Sequence, residues 1–479
     1  MIIRLDRSLL CLFAMALLLI QGCGSPSASS NTVFSGRILL ENQEMHDGII
    51  VEIYDLVDEN HYIPVDGFTG DLLEIPWGQR CFTNFLHEAP IASAVTDVAG
   101  SFSVSIPSGR YNVIAHKAGF SSLVAYEASF SGSTMGMSDV FSAVNMLTLL
   151  DVCSGVFSGE AVHWGPDRDV LIDGTVTFME GSELTISPGT NIYLASGSSL
   201  NLRGSVMMQG SANNPIVFDV APGSTADASF NQVRLFDSAI IQGGILDGLV
   251  IKNADYGLIL EASNTTVRNS YLSGISNALK VSNNSGFRLE NSTMVVKAEQ
   301  SAYAVDVSMS SGPVISNSLI WGGNYGLRYN VASSAGLFNS CIYGRMLAMS
   351  LEFDSDATFE NNLIVSRFVG LNVNLRTSFN MQFCEVNAPL GIDIKGAYTS
   401  GTVNGSNLQC STTAIKYLAH YGGDMDAKNC FWGTAEDTRI QELIIDKNDF
   451  DSSHQYYDRY SVVLYTPYRN SLVPIAGIR

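Results

Sequence analysis

Along residues 160–432 apolar side chains recur at two fixed places, with polar residues filling the gaps. At the first place an Asn, once an Asp, is followed three residues later by an apolar side chain. The markers are Asp247/Val250, Asn269/Leu272, Asn291/Met294, Asn317/Ile320, Asn339/Ile342, Asn361/Ile364, Asn380/Phe383, Asn407/Cys410 and Asn429/Trp432. The steps between them are 22, 22, 26, 22, 22, 19, 27 and 22 residues. Between the markers runs a second pattern, small–apolar–X–apolar: Gly257-Leu-Ile-Leu, Ala278-Leu-Lys-Val, Ala304-Val-Asp-Val, Gly326-Leu-Arg-Tyr, Ser350-Leu-Glu-Phe, Gly370-Leu-Asn-Val, Gly391-Ile-Asp-Ile and Ala414-Ile-Lys-Tyr. Alternation of this kind predicts short strands whose side chains point in and out by turns.

A period near 22 built from such strands predicts a parallel β-helix, in which each coil supplies three short strands joined by tight bends. Stacking coils at about 4.8 Å lets every backbone group pair with the coils above and below, and about twelve coils would rise roughly 58 Å. Asn suits the bends because it tolerates the left-handed conformation. A leucine-rich solenoid would need a fixed Leu spacing and alternating helices, and neither is present. The X positions should stack on one outer face, reading Ile259, Lys280, Asp306, Arg328, Glu352, Asn372, Asp393 and Lys416. Their charges alternate from 280 to 352, as in a cross-strand ion ladder that helps register. A calcium site would instead gather one sign.

The stretch from Gly174-Thr-Val-Thr-Phe to Pro215-Ile-Val-Phe, and the close at Asn429-Cys-Phe-Trp-Gly, resemble right-handed parallel β-helix repeat proteins over about 300 residues. The resemblance implies a pectin lyase-like solenoid over 160–432 with a C-terminal cap over 433–479. That fold hosts polysaccharide lyases, glycoside hydrolases, phage tailspikes and adhesin-like proteins, so it does not itself choose an activity.

Residues 33–150 read as a separate β-sandwich, making the chain all-β. Gly48-Ile-Ile-Val-Glu-Ile-Tyr alternates as a half-buried strand does. The succession Thr96-Asp-Val-Ala-Gly-Ser-Phe, Gly109-Arg-Tyr-Asn-Val and Lys117-Ala-Gly-Phe resembles the carboxypeptidase regulatory-like (transthyretin-like) domain. That resemblance implies a spacer or interaction module. Residues 55–92 depart from it as an insertion carrying Tyr62, Phe68, Trp77, Phe82 and Phe85, which reads either as a binding loop or as a loop with its own small core.

Ahead of both lies a basic start at Arg4 and Arg7, then an apolar run from Leu9 to Ile20, the form of a signal segment over 1–22. Ile20-Gln-Gly-Cys23 resembles the lipobox of bacterial lipoproteins, which implies diacylation of Cys23 and a tether over 23–32. Gly24 after Cys23 favours outer-membrane or cell-surface sorting over the inner membrane. Export would permit disulfides. Six cysteines remain beyond Cys23, and a Cys81–Cys153 bridge is one pairing open to them.

Composition narrows the partners. With 46 Asp and Glu against 26 Lys and Arg, the formal charge is −20, which disfavours nucleic acid. Only 15% of residues are charged while 46% are hydrophobic, which excludes a disordered chain. No phosphate loop, dinucleotide fingerprint or Cys/His metal spacing occurs, and His163, His420 and His454 lack a phased catalytic partner. The candidate catalytic residues are Asp354, Asp356, Arg376 and Asp393, all beside Glu352 in the predicted coils. The expected function is a lipoprotein that binds extracellular or envelope polysaccharide, or holds envelope proteins, without catalysis and without a cofactor, although calcium could bridge an anionic glycan. The alternatives are a lyase or hydrolase using the acidic residues, and a pure scaffold.

Overall fold

In a computed structural model of the chain, the described residues are 31–57, 78–141, 144–211, 213–221, 223–296, 302–454, 457–474 and 476–477. Cys23 and the insertion residues Tyr62, Phe68 and Trp77 lie outside them. The described chain divides into two units: residues up to 56 with 89–115 and 123–147, and 57–88 with 116–122 and 148–479.

The first unit carries a four-stranded sheet ordered 92–95, 50–55, 109–116 and 123–130, and a three-stranded one ordered 101–107, 31–37 and 134–135. Phe34 of the second sheet meets Phe130 of the first edge-on at 5.5 Å, and its own neighbour Phe102 at 5.0 Å. The Asp–Gly turn works as its sequence suggests. Asp97 Oδ1 accepts from the Ser101 backbone N–H at 2.8 Å, and a Cβ on Gly100, at φ 83°, would fall 2.1 Å from the Ile38 carbonyl oxygen.

The second unit is a parallel solenoid. One sheet stacks thirteen strands, from 161–164 to 463–464, with one strand from each coil. The other two faces merge into a 21-stranded sheet. We call the thirteen-stranded face A; face B follows the Asn bend (271–274, 293–296, 319–322 and so on), and face C closes the coil (303–311, 325–333, 347–352, 369–374, 390–397, 413–420). Inward side chains such as Leu279, Val305, Leu327, Met349, Leu371, Ile392 and Ile415 are fully buried and stack one above another. Burial at roughly 25 cal/mol per Å² makes this continuous column the main stabilising term.

The bend between faces A and B is built as expected at Asn269, Asn291, Asn317, Asn339 and Asn361, all at φ 46–55°. Asn291 donates to Asn269 at 2.7 Å, and Asn269 to Asp247 at 2.9 Å. One residue on, a buried column adds what the Asn markers did not announce. Ser292 Oγ accepts from Ser270 N–H at 3.1 Å, Ser318 Oγ from Ser292 N–H at 3.2 Å and Ser340 Oγ from Ser318 N–H at 3.1 Å. Each of these hydroxyls donates to the carbonyl two residues before it. The buried N–H groups of Ser270, Ser292 and Ser318 are thereby satisfied by the next coil.

Three expectations need correction. The bends of two coils fall at Phe383 and Gly405, at φ 53° and 58°, whereas Asn380 and Asn407 sit in strands 378–382 and 407–409. The uneven 19 and 27 steps came from these two false markers. On face C, Arg328 pairs with Ser350, and Glu352 pairs with Asn330, so the repeat there is Ala348-Met-Ser-Leu and position X is Ser350. A slip of two residues preserves inward alternation and so leaves no trace in the pattern. Cys81 and Cys153 are not bridged: both are buried thiols in separate apolar clusters.

The end of the insertion packs within the solenoid unit. Cys81 and Phe82, in the short helix Gln79–Phe82, contact Val250, Tyr271 and Val295 on the outside of face B. Lys252, buried beneath, donates to the carbonyls of Arg80 and Thr83 at 3.3 and 3.2 Å. Asn84 donates to Asn253 at 2.8 Å. Among the described residues Phe82 belongs to the packing of face B.

Candidate functional site

The outer surface of face C is a grid whose columns follow from the parallel register. The first column reads Tyr303, Tyr325, Leu347, Val369, Leu390 and Thr413. The second is the corrected X column: Lys280, Asp306, Arg328, Ser350, Asn372, Asp393 and Lys416. The third reads Ser308, Asn330, Glu352, Asn374 and Lys395. Period-two alternation sends the second and third columns outward while their neighbours fill the core, and the first column stands at the entry to each strand, one residue before the buried small residue.

At the centre of the grid the groups are knitted together. Arg328 makes a fork to Asp306, Nε to Oδ1 at 2.9 Å and Nη2 to Oδ2 at 2.7 Å, and the pair is only partly solvated. The Asp306 hydrogen bond raises the Arg328 pKa further, so this guanidinium stays charged. The rings of Tyr303 and Tyr325 lie 5.1 Å apart, tilted at 43°, and the Arg328 guanidinium is 5.2 Å from the Tyr303 ring centre. Burial, then the Glu352 carboxylate, push the Tyr303 phenol up to about 12, so it remains a hydroxyl. Ser350 Oγ donates to Glu352 at 2.7 Å, and Asn372 Nδ2 donates to Ser350 at 3.2 Å. The result is an aromatic pair bordering a strip of neutralised charges, hydroxyls and amides.

The four candidate catalytic residues are not assembled into one place. Asp354 and Arg376 sit at the bend between faces C and A and form a two-point ion pair, both contacts at 2.7 Å. Asp356 lies at the start of a face A strand and accepts from the Ser334 backbone N–H at 2.8 Å. Asp393 stands on face C, two coils above Ser350, with Lys395 at 3.2 Å. Their closeness in sequence hid the turn of the chain between 352 and 356. His163 has a partner that its sequence position did not suggest, Ser187 Oγ at 2.8 Å on the next coil. Among the described residues no three His, Cys, Asp or Glu side chains gather to hold a metal ion, and no helix is long and apolar enough to cross a membrane.

Tyr303 and Tyr325 were missed by sequence reasoning. Each stands directly before the small residue of its repeat, and the signal was there in Ala302-Tyr-Ala-Val and Asn324-Tyr-Gly-Leu: the same aromatic in the same phase on consecutive coils.

The family model described as "Right handed beta helix region" matches residues 248–412. The solenoid is a right-handed parallel β-helix. Among solved structures, pectate lyase Pel9A is similar at 10% identity, covering 67% of this chain and 81% of that one, with a TM-score of 0.32. The periplasmic alginate epimerase AlgG is similar at 11% identity, over 67% of this chain and 76% of that one, at 0.27. The tailspike protein gp49 from Pseudomonas phage LKA1 is similar at 11% identity, over 93% of this chain and 62% of that one, at 0.28. No curated protein matches.

Proposed function

We propose that this β-helix is a non-catalytic binder of extracellular or envelope polysaccharide, and that the chain is an exported lipoprotein anchored through Cys23, at the outer membrane or cell surface. The observation that carries the binding reading is the Tyr303–Tyr325 pair beside the Arg328–Asp306 fork. Aromatic rings offer an apolar face with a polar tip, the combination that suits a sugar ring with its C–H face and its hydroxyls. Ser350, Asn372 and Asn374 lie along the same grid and can both donate to and accept from hydroxyls. Because Arg328 is held by Asp306, the strip offers little net charge, and the acidic chain as a whole repels anions. The reading therefore favours an uncharged glycan, with calcium required only if the glycan is anionic.

The test is co-elution of the protein with neutral and uronic polysaccharides, with and without calcium. Wild type should shift an intact neutral glycan, and Tyr303→Ala with Tyr325→Ala should weaken that binding about 10- to 100-fold, since lost ring contacts of this kind are worth roughly 1–3 kcal/mol. Glycan shortened by the protein would overturn the non-catalytic reading, and undiminished binding by the double variant would remove the site. Cys23→Ser should release the protein from membranes; retention would place the anchor elsewhere.

A further inference from the structure

The bend between faces C and A is unlike the Asn bend in one respect. Met309 and Val331, then Phe353 with Asp354 and Leu375 with Arg376, then Tyr398 and Tyr421 hold it on six successive coils; Val331 lies in register with Asp354, Arg376 with Tyr398 and Tyr398 with Tyr421. The six apolar residues all have φ between 42° and 63°, and all six are 37–63% exposed. A bulky residue in the left-handed region costs about 1–2 kcal/mol, and a half-exposed apolar side chain recovers only part of it by burial. Fold stability alone would place Asn or Gly here, as the chain does at most coils of its other bend, Phe383 excepted. The six apolar side chains line this bend as a ridge about 24 Å long at the coil spacing, with Phe353 and Leu375 one residue to the side of the register that Val331 and Tyr398 share with Asp354 and Arg376. Near its middle, one residue beyond Phe353 and Leu375, stand Asp354 and Arg376, also at positive φ.

We propose that this ridge is a self-association surface, and that its occupant is the same ridge of a second copy in antiparallel, twofold arrangement. The order of residues is self-complementary. A twofold axis between the coils of Phe353 and Leu375 sets Phe353 against Leu375 of the second copy, Val331 against Tyr398 and Met309 against Tyr421. The same operation sets Asp354 against Arg376 of the second copy, and Arg376 against Asp354, so the one charged step meets opposite charge on both sides. Isologous pairing of this kind is the commonest form of homo-oligomer. Six half-exposed side chains, four of them aromatic or long and flexible, would remove roughly 1,100 Å² from water over the two copies, which clears the ~1,000 Å² that separates a specific interface from casual contact. Phe, Tyr and Met are also the residue types enriched at such surfaces. The ridge itself carries no net charge, which lets two copies of an acidic chain approach there.

Sedimentation equilibrium on the full chain carrying Cys23→Ser, so that no acyl chain contributes, tests the idea. A reversible monomer–dimer equilibrium is expected. Val331→Asn with Phe353→Asn should weaken it about 100-fold or more and leave the melting temperature of the monomer unchanged or higher, because Asn accepts the left-handed conformation. That readout separates lost association from lost folding. Asp354→Arg and Arg376→Asp should each weaken self-association, and an equimolar mixture of the two variants should restore it as a heterodimer. A wild type that stays monomeric at every concentration would overturn the proposal. So would an Asn double variant that dimerises as wild type does, or a charge-variant mixture no tighter than either variant alone.

Discussion

The two bends of the solenoid meet the same backbone requirement with opposite side chains. Between faces A and B the left-handed position is held by Asn on five consecutive coils, backed by a buried hydroxyl column that passes hydrogen bonds from coil to coil. Between faces C and A it is held by Met, Val, Phe, Leu and Tyr, facing solvent. The first bend is chosen by the fold: a residue that tolerates positive φ, next to a group that satisfies the buried N–H of the coil below. The second bend is tolerated by the fold, because the sheets on either side fix the turn whichever residue occupies it. Strain retained where a cheaper residue would serve points to a role outside folding.

The largest expected effect lies inside the first bend. Ser318 accepts from Ser292 N–H and donates to the Ser316 carbonyl, and the site is fully buried. Ser318→Ala leaves the buried Ser292 N–H without its acceptor, while the Ser316 carbonyl keeps the Asn291 N–H at 3.1 Å, and should destabilise by about 2 kcal/mol, read as a clear fall in denaturant midpoint. If the midpoint is unmoved, the column is incidental and the contrast between the bends loses half its basis.

Next comes a reciprocal exchange. Asn339→Val puts a β-branched residue at φ 46° on the Asn bend and should cost about 1–2 kcal/mol. Val331→Asn at φ 53° on the other bend should gain about 1 kcal/mol by relieving the same strain. Thermal melts of the two variants, taken at a concentration where the protein is monomeric, should move in opposite directions. Shifts of the same sign would mean that local packing, and not the backbone conformation, governs both bends.

The contrast also explains what could be read beforehand. Asn269, Asn291, Asn317, Asn339 and Asn361 advertise their bend because few other residues suit it, and they carried both the period and the parallel fold. Where Phe383 and Gly405 replace Asn, the nearest Asn residues, 380 and 407, supplied a false phase. Glu352 was placed at Ser350's position because strand alternation is unchanged by a slip of two, and only the hydrogen-bonded register distinguishes them. The apolar bend was illegible for a related reason. In the sequence, Met309, Val331 and Leu375 are indistinguishable from inward-pointing strand residues, and their exposure emerges only when the chain turns. The Tyr303–Tyr325 pair depended on the same register, and the docking of Cys81 and Phe82 on face B joins residues some 170 positions apart, a distance no local pattern spans.

The smallest effect concerns the ion pair that sits within the second bend. Asp354 and Arg376 make two contacts at 2.7 Å, but their side chains are 52% and 61% exposed. Solvent and salt screen such a pair, and the median worth of an exposed ion pair is about 0–1 kcal/mol. Arg376 also occupies a left-handed position, at φ 54°, so replacing it with Asn removes the ion pair and eases the backbone together. The two effects oppose, and Arg376→Asn should leave the monomer's melting temperature nearly unchanged at low salt. At high salt the ion-pair part fades while the backbone part persists, so the variant should then become slightly more stable than wild type. A variant that is distinctly weaker at both salt concentrations would show that Asp354 and Arg376 hold this bend as the Asn column holds the other, and the distinction between a bend chosen by the fold and one tolerated by it would fail at this coil.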